Sequence, residues 1–152
     1  MSKNLARANE WLRQLVEGEL GHELENITLA NLETLKAHEG YILCSYIIPV
    51  KLADKDGNWE VGSIASIIDT VGGVAIYSFS GHIKASVDFS ISFYSTTKVQ
   101  EEVEIEAKVA GERGTLTSVL VEVRKKDNGQ LIALGKQWMT SNNPGFRKVS
   151  KL

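Results

Sequence analysis

Asp69 is the only charged residue between Glu60 and Lys84. A lone carboxylate in so apolar a run can take a proton from water as a general base, attack a carbon as a nucleophile, or stand on a solvated face doing neither. At about 100° per residue, Ser63, Ser66 and Thr70 form a helical stripe with Asp69 at its edge, which suits the solvated face. The stripe nevertheless holds only small side chains and no Lys, Glu or Arg, the composition a helix shows where a second backbone comes close. Both readings of Asp69 stand at this point. If it is buried, its charge must be paired, hydrogen-bonded or put to chemical use.

The other reactive side chains are dispersed. His22, His38 and His82 are far apart and read as surface or turn residues. Cys44, the single cysteine, lies in Ile42-Leu43-Cys44-Ser45-Tyr46 and suits an inert strand position. One cysteine allows no internal disulfide, which fits a reducing or neutral compartment. There is no Gly-x-Ser-x-Gly elbow, phosphate-binding loop, dinucleotide glycine fingerprint or clustered Cys and His for a metal. Lys98 and the Arg124-Lys125-Lys126 run read as solvated strand ends, with contact to the phosphates of a carrier such as coenzyme A as the alternative.

The elements that would position Asp69 follow from periodicity. Asp54-Lys55-Asp56-Gly57-Asn58 is a turn, with Asn58 placed as an N-cap. Ile64, Ile67, Ile68, Val71, Val74 and Ala75 then recur at helical steps through to about Ser78. Glycines 62, 72 and 73 and the β-branched residues give this helix poor propensity, so the rest of the chain must wrap it. Before it, residues 4–20 read as an amphipathic helix with Leu5, Ala8, Leu12, Leu15 and Val16 on one face. Asn4 is its cap, Gly18 and Gly21 its end, and a sheet edge or mouth the thing it covers. Ile27–Lys36 is compatible with a strand, His38-Glu39-Gly40 is a turn, and Tyr41–Val50 is β-rich.

After the central helix come four strand signals. Ile83, Ala85, Val87, Phe89, Ile91 and Phe93 alternate with Lys84, Ser86, Asp88, Ser90, Ser92 and Tyr94 in strict period two, as in a half-buried strand. Val103–Val109, Leu116–Val123 and Leu131–Met139 follow, joined by turns at Gly111–Gly114 and Asp127-Asn128-Gly129. Residues 142–152 are expected to form a mobile tail. Helix, two strands, helix, then a meander of four antiparallel strands predicts an α+β hotdog fold: a curved antiparallel sheet wrapped around a central helix, with an N-terminal helix beside it. The expectation is a single domain over 1–152, with its core at about 27–141. Hydrophobic residues at 43%, charged residues at 24% and a net charge of −2 suit a globular chain and give no footprint for nucleic acid. No run is expected to reach the length that spans a bilayer, and the N-terminus lacks an apolar signal core, so secretion is not expected.

Trp59-Glu60-Val61-Gly62-Ser63-Ile64-Ala65-Ser66-Ile67-Ile68-Asp69, followed by Ala85-Ser86-Val87-Asp88-Phe89, resembles the signature of acyl-coenzyme A thioesterases of the PaaI-like and thioesterase superfamily member 2 hotdog group. The resemblance extends from about Tyr41 to Met139. It implies hydrolysis of an acyl-coenzyme A thioester to a carboxylic acid and free coenzyme A, with no cofactor and no metal. A His-Gly-Gly run in that family falls on Glu60, Val61 and Gly62. The resemblance makes the Val61 amide, with that of Gly62, the oxyanion donor at the positive end of the helix. It makes Asp69 the general base or nucleophile and Ser86 the residue that orients the water. A family Asn falls on Asp54. Glu60 and Asp54 thus replace a neutral pair by acids beside a developing oxyanion, which disfavours it. That departure motivates the alternative of a weak or inactive hotdog protein that binds acyl-coenzyme A or a protein partner. A hotdog dehydratase is a weaker third reading, because those enzymes use a catalytic His and none lies on the central helix.

Eight residues separate Val61 from Asp69, about 12 Å of helix, too far for both to meet one thioester carbon in the same chain. A two-fold partner is therefore expected, and the resemblance implies a tetramer of two such dimers. Ser150-Lys151-Leu152 matches a peroxisomal address, predicting that location and an import receptor as partner, with a cytoplasmic location as the alternative.

Overall fold

A computed structural model describes residues 1–20, 27–82 and 84–141. In chain order the elements are α1 (Lys3–Val16), β1 (Leu32–His38), β2 (Tyr41–Ile47), a 3-10 turn at Val50–Leu52, α2 (Val61–Ser80), β3 (Lys84–Phe93), β4 (Glu102–Arg113), β5 (Leu116–Lys125) and β6 (Leu131–Ser141). The six strands form one antiparallel sheet in the order β1-β2-β4-β5-β6-β3. The sheet curves around α2, as the hotdog expectation requires. Ile83, Gly21, His22 and the tail at 142–152, including Ser150, Lys151 and Leu152, lie outside the described residues.

All six residues of the predicted apolar face of α2, from Ile64 to Ala75, are buried. Each such side chain contributes roughly 1.5–3 kcal/mol on burial, which outweighs the poor propensity of a Gly- and Val-rich helix. The sheet comes close at Gly135 of β6, where an added Cβ would lie 2.5 Å from Ile68 Cγ2. Contrary to expectation, Val61–Ser80 does reach spanning length, with 20 residues and a mean hydropathy of 1.4. Most of its surface is taken up by the rest of the chain, which is the situation of a core helix.

Several boundaries differ from the periodicity. Ser2, not Asn4, caps α1 by accepting the Leu5 N–H, and the helix ends at Val16 rather than near residue 20. Asn4 instead packs against Gly81 at the end of α2, where a Cβ would meet its Oδ1 at 2.7 Å. Helix α1 lies along α2 rather than over a sheet edge: Trp11 stacks on Tyr77 at 5.8 Å, and Arg7 sits over the same ring. Residues 27–29 are helical and β1 begins only at Leu32. Strand β4 continues through Gly111 to Arg113 by means of a bulge, so the turn is at Gly114 and Thr115.

The four later strands are not a simple meander. β4, β5 and β6 pair in sequence, but β3 pairs with β6 and leaves its other side as a sheet edge. Its side chains from Ala85 to Ser90 are therefore exposed on the single chain rather than half-buried.

Candidate active site

The loop before α2 is built from its own polar groups. Asp54 Oδ1 accepts the N–H groups of Asp56 at 2.8 Å and Asn58 at 3.0 Å, closing the turn around Gly57. The loop is stitched to the segment before β4: Trp59 N–H donates to Thr97 O, and Lys98 Nζ donates to Asp56 O at 2.8 Å. Asp54, on which the family's Asn falls, and Lys98, a candidate for the carrier's phosphates, thus hold this loop in place. In the run that ends β5, Arg124 lies among Glu104, Glu106 and Glu122, Lys125 faces Glu101 and, just beyond the strand, Lys126 faces Glu102. These cations have acidic partners, as solvated strand ends do.

The cap of α2 is Glu60, not Asn58. Its carboxylate accepts the Gly62 N–H at 2.7 Å and the Ser63 N–H at 2.9 Å, each from a different oxygen. A carboxylate is well suited to the positive end of a helix. The arrangement corrects the expected role of Gly62, because its amide is already engaged. The Val61 N–H, at the first helical residue, has no acceptor among the described residues.

Two turns along, Asp69 is exposed on the single chain yet firmly held. Its Oδ1 accepts from Ser86 Oγ at 2.8 Å and from Gln137 Nε2 at 2.6 Å, and Gln137 Nε2 also lies 3.4 Å from Ser86 Oγ. Asp69 Oδ2 accepts nothing from the described residues. The side chain is exposed, as the solvated-face reading expects, and its charge is hydrogen-bonded to Ser86 and Gln137.

Ser86 reaches Asp69 because β3 breaks period two. A bulge lies between Ser86 and Asp88, so Ser86 pairs with Met139 while Phe89 pairs with Gln137. Met139 and Gln137 both face α2, and directly paired residues share a face, so Ser86 and Phe89 do as well. Strict alternation would have put Ser86 on the outer face with Ser90 and Ser92.

Gln137 escaped the sequence reading. It is fully buried, on an inner face otherwise made of Ala133, Gly135 and Met139. An amide among small and apolar inward residues was the signal available. Its Oε1 has no partner and lies against Gly72, where an added Cβ would stand only 2.4 Å away.

The Asp69 side of α2 is open. Gly62 and Asp69 are exposed and Ala65, Ser66, Thr70 and Gly73 half-buried, beside the free edge of β3 with Val87 and Phe89 showing. Cys44 is buried, and burial pushes its thiol up to about 12, so it is no nucleophile at neutral pH. Among the described residues no three His, Cys, Asp or Glu side chains form a group that could hold a metal ion.

Comparison with known proteins places this geometry. The profile of a family described as the thioesterase superfamily matches residues 57–132, half of the chain. Acyl-coenzyme A thioesterase 13 of Mus musculus is 28% identical over 114 residues, covering 74% of this chain and 78% of its own length. The crystal structure of zebra fish thioesterase superfamily member 2 superposes with a TM-score of 0.82 at 25% identity, covering 93% of this chain and all of that one. A hypothetical thioesterase protein of Streptococcus pneumoniae, solved with coenzyme A, matches with a TM-score of 0.70 at 17% identity over 74% of this chain and 87% of its own.

Proposed function

This chain belongs to the thioesterase superfamily, and on that premise we propose that it hydrolyses acyl-coenzyme A thioesters to a carboxylic acid and free coenzyme A. The observation that carries the reading is the Asp69–Ser86 pair, with Asp69 exposed on the single chain along an open stripe of small residues. Asp69 takes a proton from water as the water oxygen attacks the thioester carbon. Ser86 orients that water, and the Val61 N–H receives the charge that develops on the carbonyl oxygen. Collapse of the intermediate breaks the carbon–sulfur bond, and the departing thiolate leaves as coenzyme A thiol once protonated. Lys98, on the loop at the helix start, and Asp54, which shapes that loop, would line the approach of the substrate. Coenzyme A as the carrier is supported by the relatives above, one of which was solved with it. Thiol release from short, long and aromatic acyl-coenzyme A thioesters tests the reading. No turnover on any of them, with turnover appearing in Glu60→His/Asp54→Asn, would make the natural chain an acyl-coenzyme A binder.

The site would be completed by a second copy. Val61 and Asp69 stand about 12 Å apart along α2, so one thioester would meet Val61 of one chain and Asp69 of its partner. The open stripe of α2 and the unpaired, apolar edge of β3 are the surfaces such a partner would cover. Two of these dimers would then form a tetramer, a state that sedimentation resolves from the dimer.

Glu60 sets stability against rate. Glu60→Ala loses two cap hydrogen bonds at about 1 kcal/mol in total, lowering Tm by several degrees. It also bares the Gly62 N–H and removes a carboxylate from the oxyanion site, so kcat rises. A melting curve and initial rates on one purified pair of proteins check both; a fall in kcat would show that the cap serves catalysis.

The Ser150-Lys151-Leu152 address supports a peroxisomal proposal. With Leu152 as the last residue of the expressed protein, an N-terminally tagged form enters peroxisomes, and deletion of Leu152 leaves it cytosolic with unchanged activity. Import that survives the deletion would sink the address.

A further inference from the structure

Gln137 is a buried polar residue that touches both members of the Asp69–Ser86 pair. Its amide has a defined orientation: a carboxylate can only accept, so the group 2.6 Å from Asp69 Oδ1 is the nitrogen. That leaves the amide oxygen facing Gly72 with no donor, a cost in free energy that packing alone does not call for. A Leu or Met of similar size would fill the same space without an orphaned acceptor. Gly72 makes room for this contact, since a Cβ there would meet Gln137 Oε1 at 2.4 Å, closer than Val119 and Val121 at 3.2 Å. The chain thus accepts an unsatisfied carbonyl and a helix-weakening glycine to place one N–H donor beside Asp69.

We infer that Gln137 is a positioning residue: its amide nitrogen pins Asp69 Oδ1 together with Ser86, so that Oδ2 alone is presented to the attacking water. The inference rests on the thioesterase reading above. Two donors on one oxygen fix the plane of the carboxylate, which a single hydroxyl on a freely rotating Ser86 would not. Being an amide, Gln137 also holds Asp69 without competing for the proton that Asp69 takes from water. Among the described residues no other titratable side chain is bonded to the cluster. The nearest charges along the chain are Glu60, which caps α2, and Lys84, which begins β3; Lys136 on β6 flanks Gln137 on the outer face, and Asp88 pairs with Trp138 on that same outer face. Arg7 of α1 is engaged over Tyr77.

Gln137→Leu should lower kcat by about 10²-fold, the scale of a reacting group displaced by roughly an ångström, while KM changes less than threefold. Gln137→Glu preserves the shape and gives the sharper reading. The introduced carboxyl and Asp69 can share one proton, and while they do, the protonated partner supplies the missing donor. Activity is then retained at low pH and lost as pH rises and the pair becomes doubly anionic, a descending limb that the natural protein lacks. If Gln137 merely fills space, both variants keep the natural kcat and the natural pH profile, and the inference is overturned. Crystal structures separate this outcome from failure of the thioesterase reading. Asp69 should occupy one rotamer on Ser86 in the natural protein and several in Gln137→Leu, whatever the protein turns over. A single unchanged rotamer in Gln137→Leu overturns the inference even if the protein hydrolyses no thioester.

Discussion

Asp69→Asn is expected to reduce thioester turnover by about 10²–10⁴-fold without unfolding the protein, the loss that follows removal of a general base. The substitution is nearly isosteric, and the Asn Oδ1 can still accept from Ser86 and Gln137, so the polar cluster survives. What disappears is the capacity of the other atom to take a proton, because an amide nitrogen replaces Oδ2. Rates of thiol release, with a melting curve to show that the fold persists, provide the check. A variant that kept more than a tenth of the natural kcat would remove Asp69 from the chemistry. The Asp69–Ser86 contact would then be no more than a fastening between α2 and the edge strand.

Val61→Pro should be comparably damaging, and it isolates the other half of the site. Proline removes the N–H proposed to hold the oxyanion, yet the first position of a helix tolerates it, since that N–H has no intrahelical acceptor. The preceding residue must be extended, and Glu60 already is, with φ −69° and ψ 134°. The lesion is therefore confined to one hydrogen-bond donor. Mixing Val61→Pro with Asp69→Asn then tests whether the site is shared. In a mixed dimer one composite site joins an intact Val61 to an intact Asp69, and the other carries both lesions. Random exchange makes half of the dimers mixed, with one working site in two, so about a quarter of natural activity returns. If subunit exchange is verified and no activity returns, each chain works with its own Val61 and Asp69, and the two-fold site is wrong.

The local pattern of the chain was enough to foresee α2, its buried face and the number of strands. Ile64, Ile67, Ile68, Val71, Val74 and Ala75 are spaced for one helix face whatever surrounds them, and all are buried. The Trp59–Asp69 motif likewise pointed to the thioesterase family, which the match over residues 57–132 shows. Periodicity misled where pairing between distant segments intervened. Ser86 belongs by alternation to the outer face of β3, and only the register with β6 reveals the bulge that turns it toward Asp69. The strand order, with β3 beside β6 rather than β4, rests on the same long-range pairing. Glu60 displaced Asn58 as the cap because the pairing of Asn58 with Lys98 holds Asn58 in the loop and delays the first helical turn to Val61. Gln137 lies 68 residues from Asp69. Neighbours in the chain say which face a residue occupies, but a hydrogen bond across that separation exists only once the sheet has closed around the helix.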